Sequence, residues 1–275
     1  MQDFTNMFKD QYFIITGGNE GLGAEVSNLL ACRGAKGIII CGVSKEKGEK
    51  QEQLLRDKGC DAYFVQADFT RFENCQLVID AAEKRFNAIH GLVNCAGISN
   101  RGTIIDTTPD LFDQIFSINV KAPFFLMQYT IKLMLQKKIE GSIVNILSMN
   151  AHGGQSELAA YSSSKGALAT LTKNVAFSAM RNRIRVNGIN VGWMDTVTER
   201  KVQEKYHNVS EQEFEEESKK QPFGRLIKPQ EIAKTVLFLL SKESGLMTGS
   251  LIDFEQGIIG CGDNGMPQPL KPLEL

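Results

Sequence analysis

Short runs of β-branched and apolar residues recur along the chain, separated by longer amphipathic stretches. That rhythm constrains the fold more than any other feature. Phe13–Thr16, Ile38–Cys41, Tyr63–Ala67, Leu92–Cys95, Ser142–Leu147, Ile184–Val191 and Leu251–Phe254 read as strands. Several are almost continuously apolar, as strands covered on both faces are. The intervals between them suit helical crossovers. Seven strands at βαβ spacing predict an α/β fold, a doubly wound parallel sheet with helices on both faces.

A chain of 275 residues leaves one large domain or two small ones open. The strands occupy nearly its whole length, so residues 1–275 are expected to form one domain. Two segments break the rhythm. Residues 199–220 carry twelve charged side chains in 22 positions. Within them Ser210 and Glu213 form a capping box, with Val209 and Phe214 at the hydrophobic-staple positions. This predicts a surface helix between the sixth and seventh strands, within a substrate lid spanning 197–222. Pro267, Pro269 and Pro272 predict an extended tail over 263–275.

Charge and cysteine usage exclude several functions. The 31 basic and 32 acidic side chains lack the basic excess of a nucleic-acid binder. The six cysteines form no CxxC pair and no Cys–His cluster, which points to a reducing, cytoplasmic setting and away from structural zinc. Cys32, Cys41, Cys95 and Cys261 lie in apolar or Gly-rich contexts and are expected to be buried thiols. His90, His152 and His207 never approach the spacing of a metal hydrolase. The charged start MQDFTNMFKDQ and the lack of a long apolar run predict neither a signal peptide nor a membrane span.

The first strand runs directly into Thr16-Gly17-Gly18-Asn19-Glu20-Gly21-Leu22-Gly23 and then a helical pattern. Glycines there permit a tight turn and close backbone approach to a pyrophosphate, while the helix N-terminus offers free N–H groups. No GK[ST] follows, which excludes a Walker-type loop.

The spacing TGxxxGxG, with Asn94-Cys95-Ala96-Gly97 after the fourth strand, resembles the short-chain dehydrogenase/reductase family over about residues 8–262. The resemblance implies a Rossmann fold with NAD or NADP bound across the carboxyl ends of the strands. Gly17, Asn19, Glu20, Gly21, Leu22 and Gly23 would surround its phosphates, and Val43 and Ser44 its ribose. Asp68 and Phe69 would face the adenine, with a plain helix N-cap as the alternative for Asp68. Ala96 and Gly97 would line the cofactor, and Asn94 would brace the strand ends. After the sixth strand, Val191, Gly192, Met194 and Thr196 would hold the nicotinamide carboxamide, although the family usually has proline at Val191. An NAD enzyme usually presents an acid about 20 residues past the glycines. Here Cys41-Gly42-Val43-Ser44-Lys45 has none, and the arginine usual for NADP is missing too. Lys45 would neutralise a 2′-phosphate and Glu20 would repel it; the balance leans to NAD.

Tyr161 and Lys165 stand four residues apart at the start of a long helical pattern, so both reach one site. A free phenol titrates near ~10, and lowering it to ~7 takes about 4 kcal/mol. One cation at ~4 Å supplies roughly that at an effective dielectric of ~20. Ser148 ends the fifth strand at the sheet's carboxyl edge, where it would hold a substrate oxygen or merely cap the next turn. Asn119 lies on a helix that starts at Thr108 and Pro109, and Pro123 deprives its carbonyl of the usual N–H partner. That carbonyl would hold a water linked to Lys165. Asn119, Ser148, Tyr161 and Lys165 match the family's catalytic tetrad, which implies a secondary alcohol dehydrogenase or ketone reductase. Ser162-x-x-Lys165 also fits a serine acyl-transferase motif, but no SDN or KTG accompanies it.

His152, Gln155, Glu157 and Trp193 would line a polar substrate pocket suited to a sugar, polyol or hydroxy-ketone; Trp193 as a packing residue is the alternative. The resemblance implies a homotetramer joined through the helices around Asn119 and Tyr161. A non-catalytic dinucleotide-sensing or scaffold protein on the same fold is the competing reading.

Overall fold

The structure, a computed structural model, describes residues 6–261, and the expected tail lies outside them. In chain order the strands are β1 (Tyr12–Thr16), β2 (Gly37–Gly42), β3 (Asp61–Gln66), β4 (Gly91–Asn94), β5 (Ser142–Ile146), β6 (Arg185–Val191) and β7 (Leu251–Phe254). They form one sheet in the order β3-β2-β1-β4-β5-β6-β7, every pair parallel. All seven expected strands are present, with ends displaced by a residue or two. Pairing register sets those ends: Asp61 opposes Gly37, so β3 begins two residues before its β-branched run.

The principal helices are α1 (Gly21–Cys32), α2 (Lys45–Arg56), α3 (Glu73–Phe86), α4 (Pro109–Phe116), α5 (Ala122–Lys137), α6 (Ala159–Ala179), α7 (Val197–His207), α8 (Glu211–Lys219) and α9 (Pro229–Leu240). Strand alternation sorts side chains into two apolar layers. Phe13, Ile15, Ile38 and Ile40 join Val26, Leu30 and Val236 from α1 and α9. Ile14, Ile39 and Cys41 join Val78, Leu126 and Ala176 from α3, α5 and α6. No helix among the described residues is long and apolar enough to cross a membrane.

Strand order reverses between β1 and β4, which opens a crevice at the carboxyl edge. Thr16 closes its floor. Its hydroxyl accepts from the Cys95 and Ala96 amides at 2.9 and 3.0 Å, joining the end of β1 to the chain leaving β4. Nearby, Asn94 bonds Asn145 across β4 and β5 at 2.8 Å, and Asn145 bonds Thr172 of α6 at 2.9 Å.

Three expectations are corrected. The single helix expected over 199–220 is two, because Asn208 ends α7 in the left-handed conformation (φ 53) and Ser210 starts α8. The capping box is present, Ser210 N–H donating to Glu213 at 2.8 Å, and Phe214 is buried. The helix carrying Asn119 is interrupted: a π-turn over Ser117–Lys121 joins α4 to α5, with Ala122 N–H reaching the Ser117 carbonyl. A missing N–H at Pro123 favours such a widened turn. Finally, Cys32 and Cys261 are exposed, whereas Cys60 and Cys75 are buried with Cys41. Cys32 is the last residue of α1, where apolar neighbours do not guarantee cover.

Thr16→Val keeps the shape but removes the shared acceptor. It should cost about 1–3 kcal/mol of unfolding free energy in urea titrations, with an unchanged m value.

Candidate active site

A cleft of about 540 Å³ opens at the carboxyl edge of β4, β5 and β6. Its walls come from the loop after β4, the turn after β5, the start of α6, the turn after β6 and one face of α7. Ser148, Tyr161 and Lys165 all line it.

Ser148 lies past the end of β5 and caps a short 3-10 turn over Met149–His152, accepting from the Asn150 amide at 3.2 Å. It also forms a side-chain hydrogen bond with Tyr161. The capping reading of Ser148 is therefore present, and the same side chain lines the cleft. Burial raises the Tyr161 phenol above its ordinary pKa; the Ser148 hydrogen bond opposes that, Glu199 adds to it and Arg101 lowers it. Lys165 is buried, with its ammonium donating to the Ile146 carbonyl at 2.8 Å and lying 5.8 Å from the Tyr161 ring centroid. Burial pushes Lys165 down to about 8. The sequence arithmetic placed Lys165 at ~4 Å from the phenol, but here its charge is directed to the backbone of β5.

Asn119 is fully buried and joins three elements. Its Oδ1 accepts from the Ile98 amide at 3.0 Å, while Nδ2 donates to the Ile98 carbonyl at 2.9 Å and to Ser164 Oγ at 3.0 Å. The side chain thereby fixes the loop after β4 against α6. A Cβ on Gly97 would lie 3.3 Å from Asn119 Oδ1 and 3.4 Å from Lys165 Nζ, so this loop passes closely over both.

The glycine turn fits a dinucleotide. Gly17 has φ +64, and a Cβ there would stand 3.1 Å from the Ala96 backbone. A Cβ on Gly23 would overlap the Gly17 carbonyl. Gly21, at φ +54, faces open space, and Glu20 places no side-chain cap on α1. First-turn amides are thus left for an anionic group. Asn19 is buried over Gly42, its Nδ2 without a partner among the described residues. At the end of β2, Val43 is exposed and Ser44 caps α2 through the Lys47 amide at 3.4 Å. Lys47 pairs with Glu20 at 2.5 Å and Lys45 with Glu49 at 3.7 Å.

Some expected contacts are indirect. Leu22 and Phe69 are buried in the core, and the Asn94 amide is committed to Asn145, so these side chains support the site from below. Asp68 accepts from the Thr70 amide and hydroxyl at 2.9 and 2.8 Å, capping a turn ahead of α3. Val191, Gly192, Met194 and Thr196 line the cleft, although the Thr196 hydroxyl caps α7 through the Glu199 amide at 3.0 Å. The turn lacking the family's proline is secured otherwise: Gly192 N–H donates to Phe254 O at 3.0 Å and Asp195 N–H to Ile227 O at 2.8 Å.

On the open side, Trp193 lines the cleft and packs edge-on against Phe214 at 5.7 Å, so the packing reading is present. Gln155 and Glu157 also line the cleft. His152 does not: it sits 3.0 Å from Asp253 and 3.1 Å from Asn190, drawn toward β6 and β7. Sequence reasoning missed Arg101, Glu199 and Gln203. Glu199, Gln203 and His207 recur at four-residue spacing on α7 and all line the cleft, a polar stripe that could have been read within the charged segment. Arg101 carries no such signal. Arg200, on the other side of α7, pairs with Asp195, Glu211 and Glu215, and its guanidinium lies 4.5 Å from the Phe214 ring.

A sequence profile described as enoyl-(acyl carrier protein) reductase matches residues 17–258. A solved short-chain dehydrogenase/reductase family protein superposes with TM-score 0.78 at 31% identity, covering 91% of this chain and 98% of that one. The chain belongs to the short-chain dehydrogenase/reductase family. It is 32% identical to 3-beta-hydroxysteroid dehydrogenase from Comamonas testosteroni, over 94% of this chain and 99% of the relative. It is 30% identical to a glucose and ribitol dehydrogenase homolog from Oryza sativa subsp. japonica, over 94% and 88%. The family is one of NAD(P)-using oxidoreductases, and this chain shares its fold.

Lys165 gives the site a measurable signature. Its folded pKa lies below its unfolded one, so the unfolded chain binds more protons between about pH 8 and 10.5. Its charge therefore penalises the fold most below pH 8, and the penalty disappears by pH 10.5. Relative to wild type, Lys165→Met should be most favoured below pH 8 and lose that advantage across this window, read by urea unfolding at a series of pH values.

Proposed function

We propose that this short-chain dehydrogenase/reductase interconverts a secondary alcohol and its ketone, with a polyol or hydroxy-ketone as substrate class. The convergence of Tyr161, Ser148 and buried Lys165 on one wall of a polar cleft carries this reading. When bound, the nicotinamide supplies the hydride acceptor or donor and, in its oxidised form, a further positive charge.

The chain's own residues handle the proton. In ketone reduction, Tyr161 enters protonated, as its raised pKa favours, and gives its proton to the oxygen that becomes the alcohol. In alcohol oxidation it must first lose that proton, so the reaction accelerates as pH rises toward its pKa. Ser148 holds the same oxygen and stabilises the phenolate. Lys165 binds the ribose and adds positive charge, and Asn119 keeps the loop after β4 in place for both. Gly17, Gly21, Gly23 and the first turn of α1 hold the pyrophosphate.

For the cofactor we propose NAD. Lys45 and Lys47, the cations nearest the end of β2, are each paired with a carboxylate, which supports a ribose without a 2′-phosphate. For the assembly we propose a homotetramer; exposed Phe112 and Phe124 on α4 and α5 and Phe177 on α6 support contacts through those helices. The helical segment within 197–222 is proposed as a lid, supported by the face of α7 that lines the cleft.

Tyr161→Phe should leave NADH affinity within about twofold while abolishing nearly all turnover on a polyol and ketose panel; substantial residual turnover would refute the assignment. NADH should bind more tightly than NADPH in the same titrations. Glu199→Gln removes a charge that raises Tyr161, so the Tyr161 limb of the oxidation pH profile should move to lower pH.

A further inference from the structure

Arg101 stands apart from the catalytic set. It lies in the loop after β4 and lines the cleft, with Nη1 donating to the Ser99 carbonyl at 2.9 Å. Its guanidinium sits 5.7 Å from the Tyr206 ring on α7. Among the described residues its Nε is buried without a partner, and no carboxylate lies within ion-pair distance. Arg200 and Arg225, by contrast, are each matched to carboxylates. A guanidinium with free donors and no counter-charge, facing a ligand cleft, is a receptor for a planar anion.

In the same cleft, Glu199 is held by neutral groups. Its Oε1 accepts from Trp193 Nε1 at 3.0 Å and Gln203 Nε2 at 2.7 Å, while Oε2 has no partner among the described residues. Two neutral donors orient this carboxylate without neutralising it, leaving an acceptor for substrate hydroxyls. Arg101, Glu199 and Tyr161 all line this one cleft, so a small molecule bound there meets all three.

We propose that the substrate is a polyhydroxy acid or its oxo form, whose carboxylate binds Arg101 while a neighbouring hydroxyl donates to Glu199. This rests on the alcohol–ketone reading of the site. A single negative charge fits better than two. Glu157, Glu199 and Glu255 also line the cleft against Arg101 and Lys165, so a phosphate dianion meets more repulsion than a carboxylate. The contact of Arg101 with Tyr206 also places the anion where the loop after β4 meets α7.

The test compares matched compounds of equal chain length: D-gluconate, D-glucitol, D-glucitol 6-phosphate and 1-amino-1-deoxyglucitol, plus 5-oxo-gluconate against fructose for reduction. Each is assayed with both nicotinamide cofactors, for wild type, Arg101→Met and Arg101→Lys. The acid should be preferred over its neutral, phosphorylated and cationic counterparts. A lost charge-assisted hydrogen bond predicts a drop of roughly 10–100-fold in kcat/KM for the acid in Arg101→Met, mostly through KM. The neutral compound should lose several-fold less than the acid, its loss being confined to the upward move of the Tyr161 limb that removing the Arg101 charge brings; Arg101→Lys should recover part of the loss, and NADH affinity should be retained. Preference for the neutral, phosphorylated or cationic compound overturns the proposal, as does an equal loss on acid and neutral compounds or loss of NADH binding in Arg101→Met. In those cases turnover itself leaves the oxidoreductase reading standing. Absence of turnover on every compound, with either cofactor, overturns the alcohol–ketone reading and this proposal together.

Discussion

The hydroxyl of Thr16, accepting two amides from the chain that leaves β4, holds together the seam on which the molecule is organised. A doubly wound sheet diverges there. Polypeptide from β1 turns toward one layer of helices and polypeptide from β4 toward the other, so the two strand ends have no ladder left to share. A single side-chain oxygen takes over from the ladder. Everything above the seam is aligned by it: the glycine turn on one side, the loop carrying Gly97 and Arg101 on the other. Asn119 then fixes the far end of that loop to α6, which carries Tyr161 and Lys165. Two side chains thus tie the glycine turn to the helix that carries Tyr161 and Lys165.

The sheet was legible because its information is local and periodic. Ile38, Ile39 and Ile40 must be covered on both faces wherever they lie, and a run of such residues admits little else. The glycine turn was equally readable, since only residues without Cβ tolerate the contacts that Gly17 and Gly23 make. Boundaries were less so, because register is negotiated between strands distant in sequence. The break at Asn208 was hidden for a different reason. An asparagine in the left-handed region is permitted rather than demanded, so a charged segment reads as one helix until the second N-cap at Ser210 claims its own start.

Side chains in the cleft divide the same way. Tyr161 and Lys165 share a helix, and their spacing alone brings them to one face. Ser148 and Asn119 needed the strand count to place them. His152 and Arg101 depended on loop paths that no periodicity describes. Asp253 and Asn190 capture His152 across 101 and 38 residues, while Arg101 lines the space that His152 was expected to occupy. Even the pairing of Tyr161 with Lys165 changed in detail. Helical geometry put the ammonium on the correct face but could not show that the Ile146 carbonyl competes for it.

The cluster around Arg200 has a practical consequence. One guanidinium joins Asp195, at the root of α7, to Glu211 and Glu215 on α8. Those acids are partly or largely exposed, so mobile ions compete with them. The buried contact of Phe214 with Trp193 is indifferent to ions. Ionic strength therefore acts as a dial on the charged tie between α7 and α8 while leaving their aromatic contact with the turn after β6 untouched. In dilute buffer α7 and α8 are bound together more tautly than in concentrated salt.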